Sequence, residues 1–171
     1  MHIFRVPRGV ALFAGTAAVS ALVASPASAG TANSSIAVNA TVTANCTVSS
    51  SSVEFGDVDT TSGANVDKEG GLSIACTNGT TWAASAGLGN GTGATFAIRK
   101  MTVGSNRLNY TLYTDSARGT VWGDGTGSTA KITGTGTGGT QSVVVYGRVF
   151  SGQTSVPAGS YGDLVSVTVT Y

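Results

Sequence analysis

Between Asp163 and Tyr171 the chain alternates. Val165, Val167, Val169 and Tyr171 share one side, and Ser166, Thr168 and Thr170 take the other. A period of two predicts a β-strand with one buried face. The pattern recurs upstream. Residues 34–43 set Ile36, Val38, Ala40 and Val42 against Ser35, Ala37, Asn39 and Thr41. Residues 70–77 bring Leu72, Ile74 and Cys76 to one side, and residues 107–115 do the same for Leu108, Tyr110 and Leu112. SVVVYGRVF (142–150) is a denser apolar strand in which Gly147 is expected to mark a bulge. NCTVSS and TWAASAGLG add shorter strands. The Gly-rich joints GLGNGTG, WGDGTGSTAKITGTGTGG and VPAGSYG separate them. Short strands, β-branched residues and Gly-rich turns predict an all-β sandwich or barrel.

Two segments stand apart. The 163–171 strand has no return strand after it, so one of its edges is expected to be open, and an open sheet edge is adhesive. The 34–43 segment is an isolated alternating strand ahead of the first cysteine, with a looser tail before Ile36. At the start, Arg5 and Arg8 precede an apolar run from Val10 to Ala24 that closes on Ala27-Ser28-Ala29. That order predicts a secretory signal peptide over residues 1–29. The alternative, a membrane anchor, needs about 20 apolar residues, and the run is shorter. An exported mature chain without a membrane span is the expectation.

Removing residues 1–29 takes away His2, the only histidine, and leaves seven Lys and Arg against eight Asp and Glu. A nearly neutral chain has no electrostatic drive toward nucleic acid or an anionic membrane. Cys46 and Cys76 both remain. In an exported chain such a pair predicts a disulfide, worth roughly 3–4 kcal/mol on a chain-entropy model for a loop of this length. Two cysteines without histidine make a poor zinc set, so neither a metal nor a cofactor is expected.

Catalysis has little to stand on. Without histidine there is no Ser-His or Cys-His nucleophile. Asp57 and Asp59 would share a strand face, but the pair is sparse and reads as solvated loop carboxylates. FGDVDTTSG lacks EF-hand spacing, and GTGTGG lacks the lysine of a phosphate loop. The aromatics Trp82, Trp122, Tyr110, Tyr113 and Tyr146 could line a sugar-binding face or fill the core.

The segments NCTV, VEFGDVD, GGLSIACTNGT, LNYTLYTDSARGTVWGDGTG and VVVYGRVFSGQTSVPAGSYGDLVSVTVTY run through almost the whole mature chain. With them the chain resembles the spore coat protein U domain family, the subunits of archaic chaperone–usher pili. The resemblance implies an incomplete immunoglobulin-like β-sandwich that lacks its last strand and is completed by donor-strand addition. It also implies partners: a periplasmic chaperone, an outer-membrane usher, and copies of the chain or related subunits joined head to tail. The expected organisation is a signal peptide (1–29), an N-terminal extension or donor strand (30–43), and a pilin-like domain (44–171). Ile36, Val38, Ala40 and Val42 are then the donor knobs, and Val165, Val167, Val169 and Tyr171 edge the acceptor groove. The function expected is that of a non-enzymatic fibre subunit at the cell surface, serving adhesion or biofilm formation. A single domain argues against a two-domain tip adhesin. The alternatives are a secreted carbohydrate-binding sandwich using Trp82 or Trp122, and a protective coat protein.

Overall fold

A computed structural model describes residues 26–171; most of the signal segment, residues 1–25, lies outside the described residues. The chain divides into two units, residues 1–39 and 40–171. Of the first, residues 26–39 are exposed and carry no strand. The strand expected over 34–43 is therefore absent from this single chain. A strand exists only as part of a hydrogen-bonded ladder, and an alternating sequence alone does not supply the neighbour.

The second unit is built from ten strands: β1 (Cys46–Ser51), β2 (Val66–Cys76), β3 (Thr81–Ala86), β4 (Arg99–Val103), β5 (Asn106–Tyr113), β6 (Val121–Trp122), β7 (Thr129–Ala130), β8 (Ile132–Thr135), β9 (Thr140–Val149) and β10 (Val167–Thr170). They form two sheets. One runs β1-β2-β9-β5-β6-β7, with β4 also paired to β5; the other runs β10-β3-β8. The arrangement is an all-β sandwich with no helix among the described residues.

The inward faces follow the period-two pattern. Leu72, Ile74 and Cys76 on β2 are buried, as are Leu108, Tyr110 and Leu112 on β5. Trp122 joins them, and its indole Nε1 donates to the Ala84 carbonyl at 2.9 Å, tying β6 to the opposite sheet. Cys46 and Cys76 are register partners across β1 and β2, with Cα atoms 4.1 Å apart, and they form a disulfide. The bond fastens an edge strand that, among the described residues, has a neighbour on one side only.

Gly147 does not mark a bulge. Its pairing with Lys68 on one side and Leu112 on the other runs on in regular register. The glycine has a different cause. A Cβ there would lie 2.7 Å from Val53 Cγ1 and 2.8 Å from Phe55 Cζ, because the segment after β1 crosses the inner face of the sheet at this point. Gly70 makes room for the same crossing, with Val53 Cγ2 at 2.6 Å from its would-be Cβ. Gly147→Ala should therefore cost about 1–3 kcal/mol by overpacking. Gly139→Ala, where a Cβ meets nothing within 4 Å, should stay within about 0.5 kcal/mol of the parent. Denaturant unfolding of both variants checks this; equal stabilities would mean that the crossing segment moves aside freely.

Candidate functional site

The register of β10 decides which of its side chains point inward. Val167 sits opposite Ala86 and Val169 opposite Ala84, and both alanines are buried. Thr168 and Thr170 pair with Ser85 and Ala83 on the outer face. Val165, Val167 and Val169 are half-buried and pack against the core. Tyr171 is 58% exposed, and its hydroxyl donates to Asn45 Oδ1 at 3.5 Å, so the end of β10 lies beside the start of β1.

β10 pairs with β3 on one edge, and β1 pairs with β2 on one edge; among the described residues neither has a strand on its other side. The effect on the core is measurable. Val48 and Ile74 are direct partners and share the inward face, yet Ile74 is fully buried while Val48 is 40% exposed. An inward side chain open to solvent marks a place where a covering element is missing.

From Ser50 onward the same edge borders a groove. A cavity of about 400 Å³ lies between Ser50–Phe55 on one bank and Tyr161–Val167 on the other. Its floor is apolar: Leu72, Tyr110, Leu112, Trp122 and Val145. A second cavity of about 710 Å³ shares Val53–Phe55, Met101 and Tyr161 and extends the cleft toward Thr60 and Val156. Phe55 meets Tyr110 edge-on at 6.2 Å between ring centroids. Chemically the groove offers apolar sockets between free strand edges. An extended peptide with alternating apolar side chains can fill such sockets.

The polar groups around it are structural. Arg99 is fully buried, and its guanidinium donates to the carbonyls of Trp122 (2.7 Å), Gly87 (3.0 Å) and Phe96 (3.1 Å). Burial pushes the guanidinium below its usual range, with Tyr110 and Asp163 acting the other way. The Tyr110 phenol is pushed up, first by burial and then by its hydrogen bond to Asp163. Asp59 accepts from the Thr61 hydroxyl and amide, which hold its carboxyl below the usual range within a local turn. Among the described residues no cluster of three His, Cys, Asp or Glu could hold a metal.

The aromatic face expected of a sugar-binding module is absent for its two tryptophans. Trp82 and Trp122 are 5% and 2% exposed, and Tyr110 and Tyr113 are buried with them. The Trp82 ring lies across Gly134, where any Cβ would collide with it. Tyr146 is half-buried with the Arg118 guanidinium 5.7 Å from its ring centroid.

Of the sequence-derived site residues, the structure gathers Val165 and Val167 into the groove, while Val169 packs against the core and Tyr171 is exposed, neither of them lining it. Ile36, Val38 and Val42 are 89%, 88% and 83% exposed, and Ala40 is exposed too. Sequence reasoning missed the opposite bank, Val53 and Phe55, although the two are themselves two apart. It also missed Asp163, which shares the parity of Val165 and Val167.

Comparison with known proteins follows this geometry. Residues 32–168 match the family model of the Spore Coat Protein U domain. The chain is 34% identical over 176 residues to Protein U of Myxococcus xanthus, covering 94% of this chain and 97% of that protein. Among solved structures its fold is similar to the CsuC-CsuE chaperone–tip adhesion subunit pre-assembly complex of archaic chaperone-usher Csu pili of Acinetobacter baumannii. The TM-score is 0.54 at 23% identity, over 77% of this chain and 40% of the matched one. The chain thus spans less than half the length of that structural neighbour. With a match across nearly all of the second unit and a full-length relative above 30% identity, the chain belongs to the Spore Coat Protein U domain family.

Proposed function

We propose that this chain is a non-enzymatic structural subunit of a surface fibre, assembled by the chaperone–usher route through donor-strand exchange. The observation that carries the reading is the uncovered apolar groove between the free edges of β1 and β10. The occupant is residues 30–43 of another copy, whose Ile36, Val38, Ala40 and Val42 enter the sockets on alternate positions. Before assembly a periplasmic chaperone supplies the strand, and an usher then exchanges it. The similarity to a chaperone–tip adhesion subunit complex supports this partner class. Residues 1–29 serve export, and residues 44–171 form the acceptor domain.

Magnitudes favour a long, paired strand over isolated knobs. Burying Ile36, Val38 and Val42 is worth about 1.5–3 kcal/mol each as an upper estimate. Ordering seven backbone residues costs roughly 1–2 kcal/mol apiece. The knobs alone do not offset that cost, so backbone pairing with β1 and β10 is required. Groove and donor are different surfaces, so the contact is heterologous and extends into an open filament. Adhesion or biofilm formation is the role proposed for the fibre; a coat role differs only in what the polymer covers. A carbohydrate-binding module is disfavoured by the burial of Trp82 and Trp122.

Deleting residues 30–41 should leave a subunit that folds with its chaperone but adds to no fibre. Electron microscopy of expressing cells should show bare surfaces; normal fibres would contradict the proposal. Side-chain parity gives a second test. Val169→Asp sets a charge against the incoming strand and should cost several kcal/mol, abolishing chaperone co-purification. Thr168→Asp points outward and should weaken it little. Equal behaviour of the two variants would remove β10 as the groove edge.

A further inference from the structure

Between Gly162 and Ser166 the chain changes sheets. Gly162 is bound to β4 by two backbone hydrogen bonds with Thr102, at 2.8 and 3.2 Å. Ser166 accepts from the Gly87 amide at 2.9 Å, at the exit of β3 in the other sheet. The three residues between these ties, Asp163, Leu164 and Val165, belong to no ladder. All three border the groove. Something other than sheet pairing must hold them.

The side chain of Asp163 does so. Its Oδ1 accepts from the Asn90 amide at 2.7 Å and the Leu164 amide at 2.8 Å. Its Oδ2 accepts from the Tyr110 hydroxyl at 2.7 Å. Gly89 leaves the space that the carboxylate occupies, since a Cβ there would collide with Oδ2. Tyr110 is a floor residue of the groove, and its ring meets Phe55 on the far bank. One carboxylate thus links the near bank to the floor, and the floor aromatic touches the opposite bank. Asp163 also stands at the inward parity of Val165, Val167 and Val169, where a chain built only for burial would carry an apolar residue.

We propose that Asp163, through Tyr110, is the positioning residue of the groove: it presents the β10 edge in one place, so that an incoming strand pairs in a single register. The inference rests on the donor-strand reading above. A strand that slips by two residues keeps its inward face but moves each knob to the wrong socket. Slippage is the error that a fixed bank prevents.

The test uses the full chain and a labelled peptide of residues 30–43. Asp163→Ala and Tyr110→Phe should each reduce peptide retention about ten-fold, the scale of one hydrogen bond to a charged group. The double variant should lose no more than Asp163→Ala alone, because the hydrogen bond that Tyr110→Phe removes is one of the three that Asp163→Ala removes. Asp163→Asn, which keeps an oxygen toward Asn90 and Leu164, should fall between. Register is read by cross-linking Val165→Cys in the chain to peptides carrying cysteine at position 36, 38 or 40. The parent should favour one position, and the variants should spread across all three. Circular dichroism and an intact Cys46–Cys76 bond establish folding. Should Asp163→Ala fail to fold, Tyr110→Phe removes only a hydroxyl and carries the test. Folded variants with unchanged retention and an unchanged cross-linking position would overturn this proposal alone. A parent chain that retains no peptide would overturn the donor-strand reading and this proposal with it.

Discussion

A sheet edge that borders an apolar face cannot be left as it is. Its backbone donors and acceptors need partners, and the side chains beneath need cover. β1 and β10 impose this demand from two different sheets on one groove. The contrast between Val48 and Ile74, paired on the same face but 40% and 0% exposed, shows how local the deficit is. Among the described residues no second strand meets either edge.

Several features make sense as supports for that opening. The disulfide ties β1 to β2 at the point where the edge strand begins, so one bank has a covalent anchor. Gly70 and Gly147 let Val53 and Phe55 cross the inner sheet face and close the groove beside the floor aromatics. The buried guanidinium of Arg99 gathers three carbonyls from β6 and the loops after β3, where unpaired oxygens would otherwise be costly. Removing that side chain would leave those buried acceptors without it, a larger penalty than the hydrogen bonds are worth in net terms. Rigidity on the banks lowers the ordering cost that a docking strand must meet.

Much of this was legible in the sequence, for reasons that can be named. Period-two runs identified β2, β5 and β10 because each buries one face of a half-covered sheet, and β9 was legible as a dense apolar run. The inward parity of Val165, Val167 and Val169 was readable for the same reason. Alternation could not reveal which strands share a sheet, since pairing between β2 and β9 or β3 and β10 joins residues far apart in sequence. Gly147 misled because glycine serves both bulges and close approaches, and only the position of Phe55 separates the two. Asp163 was passed over because the alternation marked it only as the first residue of the 163–171 strand, and nothing local pairs its carboxylate. Its three hydrogen bonds come from residues as distant as Asn90 and Tyr110. The 34–43 segment shows the limit most clearly, since its alternation is plain but it forms no ladder within the single chain.

Amide hydrogen exchange compared between assembled polymer and the subunit lacking residues 30–41 tests the central claim most directly. Added protection is expected on both banks of the groove, along Cys46–Ser51 and Val165–Tyr171, in the polymer alone. The edge of β8, which also ends a sheet, should exchange alike in the two states. Equal exchange on both banks in polymer and subunit would contradict the account, as would protection gained at β8 instead.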